Sequence, residues 1–436
     1  MNFDPSLIEA TQCYKLMVGS ITPRPIAWVS TKSATGVLNL APYSFFTVAS
    51  CNPPVLSVTQ VNPRDRAAKD TLTNLRATGE CVVNIWAGER SNRLAQITSQ
   101  AWEENTLVNV FSAGKGLVAL CALQLVAQGK LELNVPVAHY WPEFAQGDKA
   151  NITVLDVLCH RSGLSAFHQH ITDTQIFDWS AMTTAAATEL PWWTPGEAQG
   201  YSPFMYGWIV GELVSRVSGY ASFNDYFQAQ VASPLGVSCH FGVPDEDLVL
   251  IADTAPLKRN LAAIESNGAD SVALGKLMKA DPRGVTNRAF CNPISLMTAT
   301  NSLAWRQAQI PAANAHANAN AIAAIYGALA NQQLLPADVL ALCSREQSFG
   351  QDQVLGLPLR FSCGFMLSQA DRADCRYGRG ARAFGHPGAG GSIGFADPDY
   401  QLGFGYVTSR MGQNILIDER AVNIIDAAYA VLGDAQ

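Results

Sequence analysis

The chain has 436 residues, 48% of them hydrophobic and 15% charged, with a formal net charge of −7 and a pI near 5.5. This is more chain than one ordinary domain holds and enough apolar residue for a large core, so one large domain plus a smaller one is expected. The acidic balance argues against a nucleic-acid or anionic-membrane partner.

The first residues, MNFDPSLIEATQCYKLM, show no basic stretch leading into an apolar one, and no later run reaches 18 apolar residues. The expectation is a cytoplasmic protein with no membrane partner. Ten cysteines stand singly with no C-x-x-C pair, several inside apolar runs. They read as reduced packing residues, not as a disulfide or zinc framework.

The stretch Trp102 to Gly116, WEENTLVNVFSAGKG, places Ser112 three residues ahead of Lys115 at the start of an apolar run. On a helix, i and i+3 share a face about 5–6 Å apart, so a hydroxyl and an amine can meet there. That is the minimum arrangement for a serine nucleophile with a lysine base. Chance supplies about one S-x-x-K in such a chain, so the surroundings must decide.

Leu117, Val118, Leu120, Cys121, Leu123, Leu125 and Val126 are apolar on every side of the helix, which predicts burial, with Gly129 as the C′ residue. Unpaired N–H groups and roughly half a positive charge at the N-terminus of that helix favour an oxyanion. An ordinary lysine, near pKa ~10.4, must be pushed down by burial before it can act as a base.

Further along, His168 and His170 form H-x-H, but two ligands without a third do not make a metal site. In Pro191 to Gly219, Ser202 and Pro203 look like the N-cap and N1 of a helix, and Met205, Trp208, Ile209, Leu213 and Val217 follow at helical spacing. Tyr201 then lies on the loop before the helix, where a phenol can point into a cleft or pack its ring. Trp192 and Trp193 suit a pocket wall or the core equally. Arg376, Arg379 and Arg382 read as a solvated loop face.

Arg382 to Met411 reads as β-structure, with glycines dense around His386 and a turn at Asp397-Pro398-Asp399. Gly388, Gly390 and Gly391 allow close backbone approach to a ligand. GGSIG formally matches a nucleophile elbow at Ser392, but the elbow needs a strand turning into a helix, and here strand continues. Ser392 is therefore a decoy.

Together, WEENTLVNVFSAGKG, ITVLDVLCHRSGL, the loop at Tyr201, WRQAQIPAANAH and FGHPGAGGSIGFADPDYQLGFGYVTSRM resemble the serine β-lactamase and penicillin-binding-protein superfamily, and are most similar to the family VIII carboxylesterases. The resemblance runs from about Val82 to Gln436. It implies Ser112 as the acylated nucleophile, Lys115 as its base and Tyr201 as the proton relay. His386-Pro387-Gly388 would replace the usual Lys-Thr-Gly strand, with the Ala389 and Ser112 amides as the oxyanion hole. Pro203 stands where lactamases usually have Asn, and His386 where they have Lys, which favours small esters over antibiotics. Trp192, Trp193 and Trp305 are candidate walls for an apolar acyl or alcohol group.

The earlier strings YKLMVGSITPRPIAWVST, GVLNLAPYSFFTVASCNPPVLSV and PRDRAAKDTLTNLRATGECVVNI, Tyr14 to Ile85, resemble the flavin reductase-like FMN-binding split barrel. In that family, residues matching Arg24, Ser30, Thr31, Asn39, Ser44 and Lys69 lie at or near the flavin. The resemblance stops where about half the barrel should follow. A truncated fragment that no longer binds FMN is expected, one or more of its strands completing or flanking the hydrolase sheet.

The expected fold is thus mixed α/β, β-lactamase/transpeptidase-like, preceded by a truncated β-rich split-barrel-like segment. Residues 1–85 would be the flavin reductase-like segment and 86–436 the hydrolase, with a helical region about 155–330. An antiparallel sheet is expected from Cys81–Gly88 and the strands after Phe361, covered by the serine helix and a helix near Ile415–Leu432. The expected activity is cleavage of small-molecule, short-chain esters without a cofactor or metal, by a monomer or a homodimer. The alternatives are a β-lactamase or D-amino peptidase, and an FMN-dependent oxidoreductase.

Overall fold

A computed structural model describes residues 26–43, 46–51, 54–58, 70–78, 82–86, 105–256, 269–412 and 414–432. The chain divides into two compact units, Met1–Trp102 and Glu103–Gln436.

In the first unit, Leu38–Tyr43, Ile26–Lys32 and Val82–Trp86 form a three-stranded antiparallel sheet in that order. Phe46–Cys51 and Pro54–Val58 make a separate hairpin, and Asp70–Thr78 is a helix. Val82–Trp86 corrects one expectation. It pairs with Ile26–Ser30 and, among the described residues, no strand of the first unit joins the hydrolase sheet. Alternation and β-branching mark Val82, Val83 and Ile85 as strand, but they carry no information about which neighbour the strand takes.

The second unit is built on a six-stranded antiparallel sheet ordered Ser348–Gln351, Pro358–Phe361, Met366–Leu367, Phe384–Pro387, Ile393–Asp397, Leu402–Tyr406. The hairpin of residues 348–361 supplies its first strands, the role expected of Cys81–Gly88. Helix Ala319–Ala330 lies across the last two strands. It can approach closely because a Cβ on Gly403 would sit 2.0 Å from the Gly327 nitrogen, so only glycine fits there.

Helix Glu419–Leu432 packs Ala421, Ile425 and Tyr429 with Ile393 and Phe395 of the sheet, as the sequence anticipates. Residues 155–330 are mostly helical. A small sheet of Val108–Asn109, Ala315–Ala317 and Cys239–Phe241 stands in front of the serine turn.

Helix Lys115–Ala127 runs through the main core, and every residue from Lys115 to Leu125 is buried. Its all-round apolar sequence has this consequence, because no face can be turned to water without losing burial worth about 25 cal/mol per Å². Gly129, at φ +66°, closes the helix end as expected. Arg376 and Arg379 pair with Asp426, and Arg382 with Asp399, while the three side chains stay 42–56% exposed, so they form the solvated face expected, ion-paired to acids on the C-terminal helix and the 397–399 turn.

Candidate active site

Ser112 lies in a single 3₁₀ turn, Phe111–Gly114, and the α-helix begins at Lys115. The sequence reading placed both residues on one α-helix. Because i and i+3 eclipse in a 3₁₀ turn, the pairing survives the change. Phe111 enters the turn at φ +50°, a left-handed conformation strained for an aromatic residue, and its N–H donates to Asn109 Oδ1 at 3.1 Å.

Lys115 Nζ lies 3.0 Å from Ser112 Oγ, and it donates to the carbonyls of Pro203 at 2.7 Å and Ala312 at 2.8 Å. Two carbonyls use the two N–H bonds of a neutral amine and leave its lone pair for the serine hydroxyl. The side chain is fully buried without a carboxylate partner, and desolvation pushes its pKa well below the ordinary lysine range. Nζ also sits 4.8 Å from the centre of the Tyr201 ring.

Tyr201 is buried on the loop before helix Met205–Ser218. Burial pushes the phenol above its ordinary range, its interaction with Ser112 pulls it back, and the charge of Asp352 adds to the rise, so it stays protonated near neutrality. The helix starts later than Ser202-Pro203 suggested. Pro203 spends its carbonyl on Lys115, Gly207 N–H bonds Phe204 instead, and Ser202 Oγ accepts the Tyr206 N–H at 3.0 Å.

His386 lies on strand Phe384–Pro387, its ring centre 5.9 Å from that of Tyr201. Nδ1 is 2.7 Å from the Pro387 carbonyl, which can only accept, so the proton is on Nδ1 and Nε2 is left as a bare acceptor. Nε2 is buried without a partner among the described residues. Burial, helped by Lys115, drives the ring down to about 3. The position where the resemblance would have a cation is therefore a neutral acceptor.

Strand and serine turn meet backbone to backbone. A Cβ on Gly388 would lie 2.3 Å from the Val110 carbonyl and 3.0 Å from the Ala113 nitrogen, so the strand reaches the nucleophile only with glycine there. This sets Gly388 against the Ser112 turn, with Ala389 the next residue along the chain. Ser392 lies on the far arm of the same turn, its carbonyl accepting Gly388 N–H at 2.6 Å, and strand Ile393–Asp397 follows without a helix.

The tryptophans divide. Trp193 packs its ring over Gly200, next to Tyr201, and Trp192 stacks on His168 at 4.0 Å. Trp305 is enclosed in the core, and its carbonyl accepts from Asn314 Nδ2 at 2.8 Å. Asn314 in turn ties the 305–314 bend that carries Ala312, so Trp305 stands behind the Lys115 acceptor. His168 Nδ1 is 2.6 Å from Glu189 Oε1, and no group of three metal-type ligands occurs among the described residues.

Two residues at the site went unassigned in the sequence. His160, at φ +57°, accepts the Ser202 N–H on Nδ1 at 3.2 Å and packs against Tyr201, Tyr206 and Phe361. Asp352 is buried and accepts the Tyr201 N–H on Oδ2 at 2.7 Å. The string HRSGL carries a hint of His160 in its turn-forming Ser-Gly; nothing local marks Asp352.

In the first unit, Thr31 Oγ1 accepts from Asn74 Nδ2 at 3.1 Å and Asn39 Nδ2 at 3.4 Å, and Asn39 Nδ2 also donates to Thr71 Oγ1 at 2.8 Å. Two of the six residues matched to a flavin site are thus bonded to each other and to helix Asp70–Thr78. Arg24, Ser44 and Lys69 lie outside the described residues.

A family model described as Flavin reductase like domain matches residues 18–115. An uncharacterized protein of Aquifex aeolicus is 45% identical over 89 residues, which are 20% of this chain and 45% of that protein. The chain thus spans under half the length of that relative. The Esterase/beta-lactamase LipL of Mycobacterium tuberculosis is 30% identical over 353 residues, covering 79% of this chain and 77% of LipL. The crystal structure of a family VIII carboxylesterase superposes with a TM-score of 0.68 at 33% identity, covering 81% of this chain and 89% of that one. The Beta-lactamase family model matches residues 75–429, most of the chain, and with the fold just described this makes the protein a member of the Beta-lactamase family.

Proposed function

We propose that the protein is a serine hydrolase of small, short-chain carboxylic esters, working through an acyl-enzyme on Ser112. The observation that carries the reading is Lys115 Nζ, buried, with carbonyl acceptors on two sides and Ser112 Oγ 3.0 Å away on the third. In the proposed reaction Ser112 Oγ attacks the ester carbonyl while its proton passes to Lys115. The oxyanion is held by the Ser112 and Ala389 amides, Tyr201 gives its phenolic proton to the leaving alkoxide and regains one from Lys115, and water then releases the acyl group as the acid, its other proton returning to Ser112. Its relatives named as a family VIII carboxylesterase and an esterase/beta-lactamase support the ester class.

The runner-up is β-lactam or D-amino peptide cleavage, favoured by the β-lactamase half of the LipL name. Against it stands His386, a neutral acceptor with no charge to offer a substrate carboxylate. A series of p-nitrophenyl esters of increasing chain length, run beside nitrocefin and D-Ala-terminated peptides, tests both. The expected outcome is fastest turnover on a short-chain ester and, at most, slow nitrocefin hydrolysis; faster nitrocefin or D-Ala cleavage would replace this reading by the second.

We read residues 1–85 as a truncated flavin reductase-like segment without FMN and 86–436 as the hydrolase domain. The commitment of Thr31 and Asn39 to helix Asp70–Thr78 supports the first part. The purified protein is expected to be colourless and to leave NAD(P)H unconsumed; a stoichiometric yellow chromophore would overturn that.

A further inference from the structure

Tyr201 belongs to no helix or strand, so no ladder of regular hydrogen bonds fixes its backbone. A phenol reaches far from its own Cα, and a small backbone rotation would carry its oxygen away from Ser112. The backbone from Gly200 to Pro203 is instead tied residue by residue from distant parts of the chain. Gly200 donates to the His160 carbonyl at 2.9 Å and accepts from Ser165 Oγ at 2.6 Å. Tyr201 N–H donates to Asp352, Ser202 N–H to His160, and the Pro203 carbonyl accepts from Lys115.

We propose that Asp352 and His160 are positioning residues of the esterase reaction, clamping the Tyr201 and Ser202 amides so that the phenol stays on Ser112. The proposal rests on the reading of Tyr201 as the proton relay.

Each side chain is specialised for this. Asp352 Oδ1 accepts Val354 N–H at 2.9 Å and Leu355 N–H at 2.8 Å, which anchors the carboxylate in its own loop, and Oδ2 then reaches across to Tyr201. A carboxylate is the only ordinary side chain that accepts at both ends without carrying a donor. His160 can accept at Nδ1 only while neutral. Burial, together with the nearby Lys115 and His386, holds its pKa well below the ordinary histidine value. Its left-handed backbone at φ +57° turns the ring back toward the loop, and asparagine is among the few other residues that tolerate that conformation.

The test uses the full-length protein, on the alkaline side of neutrality, with steady-state kinetics on a short-chain p-nitrophenyl ester and thermal melting as a check on folding. Asp352→Asn turns one acceptor into a donor facing an N–H, and is expected to lower kcat by about 10–100-fold with KM nearly unchanged, the size expected of a slight misplacement of a reacting group. In a Tyr201→Phe background the same substitution should lower kcat by less than about 3-fold, because its effect runs through the phenol. His160→Leu should cost a similar factor, and His160→Asn, which restores an acceptor and suits the backbone, should recover most of it.

If Tyr201→Phe is inactive while the folded Asp352 and His160 variants keep wild-type kcat, the clamp is refuted and the relay stands. An undiminished Asp352→Asn effect in the Tyr201→Phe background also refutes it. Should Tyr201→Phe itself keep full activity, the relay reading falls, and the clamp with it. If Asp352→Asn does not fold, the His160→Leu and His160→Asn pair decides, and failure of asparagine to rescue overturns the proposal.

Discussion

Ser112→Ala is expected to lower turnover of p-nitrophenyl esters by roughly 10³–10⁶-fold while leaving the thermal melting temperature close to that of the unchanged protein. The range follows from what removal of a nucleophile or its base costs when the oxyanion donors and binding contacts remain. Lys115→Met should fall in the same range, because no other described group lies in line to take the Ser112 proton. The two losses should not add, since the residues act as one unit.

In the unchanged protein the active form of Lys115 is the neutral amine, so kcat should rise with pH until that amine has lost its proton. Burial brings this about well below the ordinary lysine range. A phosphonate ester probe should label the unchanged protein on Ser112 and fail to label Ser112→Ala. If instead Ser392→Ala abolishes hydrolysis and Ser112→Ala does not, the assignment is wrong.

The second large effect concerns stability in acid. His160, His316 and His386 are buried and neutral in the folded protein; burial takes His316 and His386 to about 3 and His160 well below its ordinary value. In the unfolded chain each titrates near ~6.5. As pH falls below that value the unfolded chain takes up three protons that the fold refuses, so the stability these groups contribute is present above about 6.5 and is lost as pH falls toward 3.

Asp352 works in the opposite direction. Burial raises it to about 7 despite three backbone donors, so between its ordinary value and 7 the folded state holds one proton more than the unfolded chain. The net difference is about two protons, or roughly 2.7 kcal/mol of stability lost per pH unit between about 6 and 4. Over those two units the loss is about 5 kcal/mol, which reaches the lower end of a total stability of about 5–15 kcal/mol.

Urea unfolding measured at successive pH values checks this. His316 lies on strand Ala315–Ala317, and its ring bonds the Asn314 carbonyl at 2.8 Å. His316→Asn should therefore reduce the slope by about 1.4 kcal/mol per pH unit. A stability that stays flat from pH 7 to 4 would contradict the neutral, buried state of these histidines.

Several of these features were legible along the chain because they are local. The Ser112–Lys115 pairing needs only a three-residue spacing and one turn of helix or 3₁₀ backbone, so it survived an error about which of the two it was. Burial of Lys115–Ala127 follows from apolar residues on every face, and the strand character of Ile393–Tyr406 follows from the run of apolar and glycine positions around the Asp397–Asp399 turn. The C-terminal helix was legible from its apolar stripe.

What surrounds the Lys115 amine was not local. Its two carbonyl acceptors come from residues 88 and 197 positions away, and Asp352 lies 151 positions from the amide it holds. No periodicity encodes such a meeting, since a backbone carbonyl is offered by every residue and a lone aspartate has no pattern. The partner of strand Val82–Trp86 was hidden for a related reason: alternating side chains say which face is buried, while the ladder bonds that choose a neighbour are made by backbone atoms identical in every strand. Side-chain order along the chain thus pointed to the Ser112–Lys115 pair and to the kind of elements present. Packing between remote segments decided the desolvation of Lys115, the tautomer of His386 and the placement of Tyr201, because desolvation and hydrogen-bond direction exist only once those segments have closed around the site.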